Sequence, residues 1–161
     1  MLKKSALAFM LLLSLAGCKS KDAFNYSQDF VKKERALIPE ITSTESKVKL
    51  FLAAEQYDSI AAAGERMESL VNATLKSVKD APAPDAKEGE NFKEAVVSYF
   101  AFIKSMYTLY KDFGNAKTPE AREAEMEKLR AIVDKKRDAI NAIQGAQKKY
   151  ADANNFKLET Q

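Results

Sequence analysis

From Phe92 to Phe113 the chain sets a large apolar side chain at every third or fourth residue without a gap: Phe92, Val96, Tyr99, Ile103, Met106, Tyr110 and Phe113. That is the repeat of one helix face, and it predicts a helix over about 91–113. Phe100, Phe102, Tyr107 and Leu109 widen the stripe to roughly half the circumference at about 100° per residue. One neighbour cannot cover so broad a face. The segment needs partners on two sides, and the rest of the chain must supply them.

The flanking segments read as helices too. Phe30, Leu37, Ile41, Val48 and Leu52 fall at helical, near-heptad spacing. Pro39 lies among them, lacks an amide hydrogen and predicts a kink in one long helix. A chain reversal is expected near 55–58, with Asp58 or Ser59 as N-cap. A second helix then aligns Ile60, Met67, Leu70, Val71, Leu75 and Val78, with Gly64 on the same face. Glycine inside a helix costs about 1 kcal/mol relative to alanine, so Gly64 predicts a close approach of two helices.

Ala81-Pro82-Ala83-Pro84-Asp85 through Gly89 cannot continue a helix and is expected as an exposed linker. Gly114-Asn115 predicts a left-handed cap after the aromatic helix. Thr118-Pro119-Glu120 combines a capping hydroxyl, proline at the first helical position and an early acid. The helix it starts carries Met126, Leu129, Val133, Ile140 and Ile143, reaches Tyr150 and ends at Asn154-Asn155, with Phe156 and Leu158 folding back. No segment alternates like a strand. The expected fold is all-α, an antiparallel up-down-up-down four-helix bundle over residues 27–158 with its first helix kinked near Pro39.

The first residues follow a different pattern. Lys3 and Lys4 precede an apolar run, Ala6 to Leu13, which closes at Leu15-Ala16-Gly17-Cys18. Such a run is short for a bilayer core of roughly 30 Å and suits a secretory signal. Cysteine directly after Leu-Ala-Gly resembles the bacterial lipobox. That resemblance implies cleavage between Gly17 and Cys18, a diacylglycerol on the Cys18 sulfur and a further acyl chain on the new amino terminus. Residues 1–17 are then a cleaved signal, and 18–26, including Lys19-Ser20-Lys21-Asp22, a lipidated tether. The competing readings are an N-terminal anchor helix or a plain secretory signal with a chance cysteine. Cys18 is the single cysteine, so the mature domain has no internal disulfide and must be held by packing.

The layout as a whole resembles a family of small helical bacterial surface lipoproteins with no assigned activity. Its cues here are Phe92-Lys93-Glu94-Ala95, then Tyr99-Phe100, then Ala146-Gln147-Lys148-Lys149-Tyr150-Ala151 leading to Asn155-Phe156-Lys157-Leu158. These are packing motifs, and the resemblance implies no catalytic or binding site.

Composition narrows the chemistry further. The chain has no histidine, which removes the usual acid–base residue near neutral pH, the Ser-His-Asp arrangement and the common ligands of zinc, di-iron and haem. No glycine-rich phosphate loop is present. We expect no catalytic residues, no metal site and no cofactor. Glu120, Glu123, Glu125 and Glu127 point around several faces of their helix, as dipole and ion-pair partners would. The 26 Lys+Arg against 23 Asp+Glu are interspersed, leaving no footprint for nucleic acid.

Glu34, Glu45, Lys136 and Gln147 fall on apolar stripes. Burial would require partners, for instance an interhelical Glu34–Lys136 pair; otherwise the long side chains reach out to water. Phe100, Phe102 and Tyr107 are the candidate ligand or partner surface, the competing reading being plain core. The expected function is that of a non-enzymatic envelope lipoprotein, anchored to membrane through the lipid on Cys18 and binding an envelope protein. A carrier of a small hydrophobic ligand between helices is the alternative. Lys19 after the lipidated cysteine resembles an outer-membrane sorting pattern, with the periplasmic face favoured over the cell surface.

Overall fold

A computed structural model describes the backbone of residues 6–158 and the side chains of residues 20–158. Among the described residues the chain is helical with no strand. It forms four helices, the last of them kinked: α1 (Ala6–Ala53), α2 (Tyr57–Asp80), α3 (Gly89–Asn115), and a C-terminal helix divided at Lys135 into α4 (Pro119–Asp134) and α5 (Lys136–Ala153).

A kink was expected in the first helix near Pro39; the kink that divides a helix in the structure lies in the C-terminal one. α1 runs through Pro39 without interruption. Pro39 and Arg35, whose carbonyl loses its helical donor, are both exposed, so water can satisfy that oxygen. The division at Lys135 has a packing cause. Asp134-Lys135-Lys136-Arg137-Asp138 is wholly charged and exposed, so nothing holds this stretch to the bundle. On either side Leu129 and Ile143 are buried, in different clusters.

The main cluster is aromatic. Phe92 stacks on Tyr150, ring centroids 4.8 Å apart, and Phe30 meets Phe92, Tyr99 and Phe100 edge-on at 5.8–6.0 Å. The second cluster joins Val48, Ile60, Phe113 and Leu129 at the other end. Leu70, expected on the packed face of α2, lies at its border and is 36 % exposed.

Two glycines let α2 and α3 approach closely. A Cβ on Gly64 would lie 2.5 Å from the Lys111 amide nitrogen, as its place on the apolar face predicts. Gly114 corrects an expectation. It is no left-handed cap but a buried residue inside α3, where a Cβ would stand 2.4 Å from the Ala61 nitrogen. Positive φ falls instead on Glu55, Glu88 and Asn155. The Thr118 hydroxyl accepts from the Ala121 amide at 3.1 Å, the cap read from Thr-Pro-Glu. α2 starts two residues early for an Asp58 or Ser59 cap; Gln56 precedes it and makes no side-chain cap bond.

Residues 20–26, expected as a tether, belong to the packed body. Ala23 and Ser27 have no exposed area, Phe24 meets Phe156 edge-on at 5.7 Å, and the Ser20 hydroxyl donates to the Asn154 carbonyl at 2.8 Å. Phe24 and Tyr26 supply aromatic area at this end of the core, which is why packing reaches further toward the amino terminus than the stripe suggested. The Pro-rich linker is likewise tied down at both ends: Gly89 is buried, and Lys93 Nζ donates to the Ala81 carbonyl at 2.5 Å.

Candidate functional site

Packing is unequal around the bundle. α3 lies against α2 and both halves of the last helix, whereas α1 and the last helix barely touch. The seam between them holds two grooves.

The first, about 340 Å³, lies between α1 and α5 and is lined by Phe30, Val31 and Glu34 on one side and Ile140 and Ile143 on the other, with Tyr99 of α3. The second, about 300 Å³, lies between α1 and α4. Val48, Leu52, Leu129 and Val133 make its walls, with Tyr110 and Phe113 behind. Leu52 and Val133 are 42 % and 49 % exposed, large apolar side chains left in water at the rim.

Each groove has a carboxylate fixed by phenols. Tyr99 donates to Glu34 at 2.6 Å. Tyr110 and Tyr107 both donate to Glu45, at 3.1 and 3.4 Å. Burial raises the pKa of Tyr99 well above the usual phenol value, and the bond to Glu34 adds to it. Burial does the same for Tyr107 and Tyr110, with the Glu45 charge next. All three phenols therefore stay protonated donors throughout the neutral range. The seam combines apolar walls with hydrogen-bonded phenol–carboxylate pairs.

The polar residues of the stripes find other partners than those expected. Lys136 is exposed and makes no pair with Glu34, which binds Tyr99 instead. Gln147 donates to the fully buried Ser27 hydroxyl at 3.0 Å. Phe100 and Tyr107 form no surface: neither has exposed area, and both sit in the main cluster. Phe102 is half-buried against that cluster. Edge rings on a stripe this wide were covered by the second neighbour the stripe demanded. A signal for the true seam residues was available, since Glu34 and Glu45 are spaced along α1 as Tyr99 and Tyr110 are along α3.

The α4 acids do not converge. Glu123 and Glu127 reach Arg130, and Glu125 reaches Lys128 at 2.7 Å. Among the described residues no group of three or more acidic or cysteine side chains could hold a metal ion. The backbone of Gly17 and Cys18 lies within α1, while their side chains fall outside those described. No described helix is long and apolar enough to cross a membrane.

Compared with protein-family models, with curated proteins and with solved structures, the chain matches none of them.

Proposed function

We propose that this chain is a bacterial envelope lipoprotein, anchored through lipid on Cys18, whose helical domain is a non-catalytic binding or scaffold module. One observation carries the anchor: Lys3-Lys4, the apolar run Ala6 to Leu13, and Leu15-Ala16-Gly17-Cys18 follow one another in the order a lipoprotein signal requires. Two or three acyl chains hold a protein firmly at a bilayer and confine it to two dimensions, which raises its effective concentration near membrane partners. The favoured site is the periplasmic face of the outer membrane, with the cell surface as the other possibility.

The domain we propose is an up-down-up-down bundle. Thr108 with Glu68 and Lys104 with Asn72 support opposed α2 and α3, because the numbers run in opposite directions. Tyr99 with Glu34 and Tyr110 with Glu45 support α1 and α3 running the same way. The seam with its fixed phenols is a surface suited to binding.

A Cys18→Ala variant tests the anchor. It is expected to leave the membrane fraction while intact-mass measurement of the wild type finds an acylated Cys18. An unmodified thiol in the wild type, or a variant still bound to membrane, ends this reading. The apolar groove between α1 and α4 supports the second reading, a carrier for a small hydrophobic molecule. Native mass spectrometry of the purified protein would find an apolar adduct that Val48→Glu abolishes; the same adduct in that variant counts against the groove.

A further inference from the structure

The packed end of the bundle carries a consequence for how the domain sits on its membrane. This inference rests on the lipid anchor proposed above. Only Lys19 separates Cys18 from Ser20, and Ser20 is already latched to the Asn154 carbonyl at 2.8 Å. Ala23, three residues further on, is fully buried, and Phe24 meets Phe156. No free length of chain is left on which the domain could swing.

We propose that the end face built from Ser20 and Lys21, the 82–88 loop and residues 154–158 rests on the lipid headgroups, so that the bundle stands upright on its membrane. The parts of that face are tied together. Asn154 donates through its side chain to the Lys87 carbonyl at 2.8 Å, so the loop, the C-terminal segment and the start of the domain move as one. Lys21, Lys87 and Lys157 are exposed on these segments and available to lipid phosphates. Most acids nearby are already engaged: Glu88 accepts from Asn91 at 2.7 Å and pairs with Lys149 at 3.0 Å, and Asp85 is engaged too. Asp22 and Glu90 are exposed there and oppose the attraction.

Upright standing sets the height of everything else. A helix running from Ser20 to Ala53 rises about 50 Å, so the α1–α2 turn and the α3–α4 loop lie far from the bilayer. The groove at Val48, Leu52 and Val133 then opens well above the lipid, toward partners in the aqueous space.

The test uses the full lipidated chain, purified and reconstituted in phosphatidylethanolamine–phosphatidylglycerol vesicles with an acceptor dye on the headgroups. The native thiol is occupied by lipid, so a donor dye can be placed singly at Asp152→Cys or Lys117→Cys. Energy transfer is expected to be strong from 152 and roughly fivefold weaker or less from 117, given the ~50 Å rise between the two ends. Replacing Lys21, Lys87 and Lys157 together by Gln is expected to bring the two values closer, and an unchanged ratio would overturn the lysine contacts. Equal transfer from both positions, with acylated Cys18 confirmed by mass, overturns the upright domain and leaves the lipoprotein reading standing. A bare Cys18 overturns both.

Discussion

The phenol of Tyr99 reaches across the bundle to Glu34 at 2.6 Å, and about three turns along the same two helices Tyr110 reaches Glu45 at 3.1 Å. The pairs join two helices whose backbones barely approach one another, and they do so beside the open seam. Their arrangement decides how the protein responds to alkali.

Tyr99, Tyr107 and Tyr110 have folded-state pKa values raised above the ordinary 10.0, by burial first and then by the neighbouring carboxylates. A raised folded value means that, above about pH 10, the unfolded chain releases protons that the native chain still holds. Stability from these groups is thus fully present below pH 10 and is lost as pH rises toward their folded values. Titration is expected to show the tyrosinate absorbance of these residues appearing together with helix loss. Glu45→Gln should let ionisation begin at lower pH, because it removes the charge that opposes a phenolate. Tyrosinate forming with ellipticity unchanged would contradict the buried hydrogen-bonded phenols.

The glycines offer a contrast within one molecule. At Gly64 a Cβ would meet the Lys111 nitrogen at 2.5 Å and the Tyr107 carbonyl oxygen at 2.9 Å, both backbone atoms that cannot turn aside. Gly64→Ala is expected to push α2 from α3 and cost about 1–3 kcal/mol. Among the described residues nothing lies within 4 Å of the same position on Gly145, so Gly145→Ala should gain up to about 1 kcal/mol from helix propensity alone. Urea denaturation of the two variants reads the difference. Equal effects of one sign would mean that the helices are not in contact at Gly64.

Tyr150 presents a third case. Its ring stacks on Phe92, its hydroxyl is buried without a hydrogen-bond partner among the described residues, and burial pushes its pKa up to about 12. A buried, unsatisfied hydroxyl costs roughly 1–3 kcal/mol. Tyr150→Phe keeps the stack, removes the orphaned group and is expected to raise the melting temperature. A clear fall in melting temperature would show that the hydroxyl is engaged in solution.

Much of the helical pattern was legible in residues close together in the chain. The broad stripe of α3 demanded covering on two sides and is covered on two sides. Thr118-Pro119-Glu120 named its own helix start, since a cap is a bond over three residues. Gly64 announced a close approach because its cost in a helix needs a compensating cause. Where the local rule could be met in two ways it misled. Gly114 can end a helix or let another helix in, and only the presence of α2 selected the second. Pro39 can end a helix or be carried within one, and the exposure of Arg35 and Pro39 allowed the second.

The amino-acid sequence alone determined that this chain is helical, where three of its four helices begin and end to within a few residues, and which side of each is apolar, because those properties depend on neighbours within one or two turns. The tertiary structure decided which apolar residues are core and which line a seam, that Glu34 meets Tyr99 and leaves Lys136 in water, and that Ser20, Ala23 and Phe24 pack into the body. Those outcomes depend on segments more than 60 residues apart meeting in space, as the 65-residue separation of Glu34 and Tyr99 illustrates, and no local spacing encodes such a meeting.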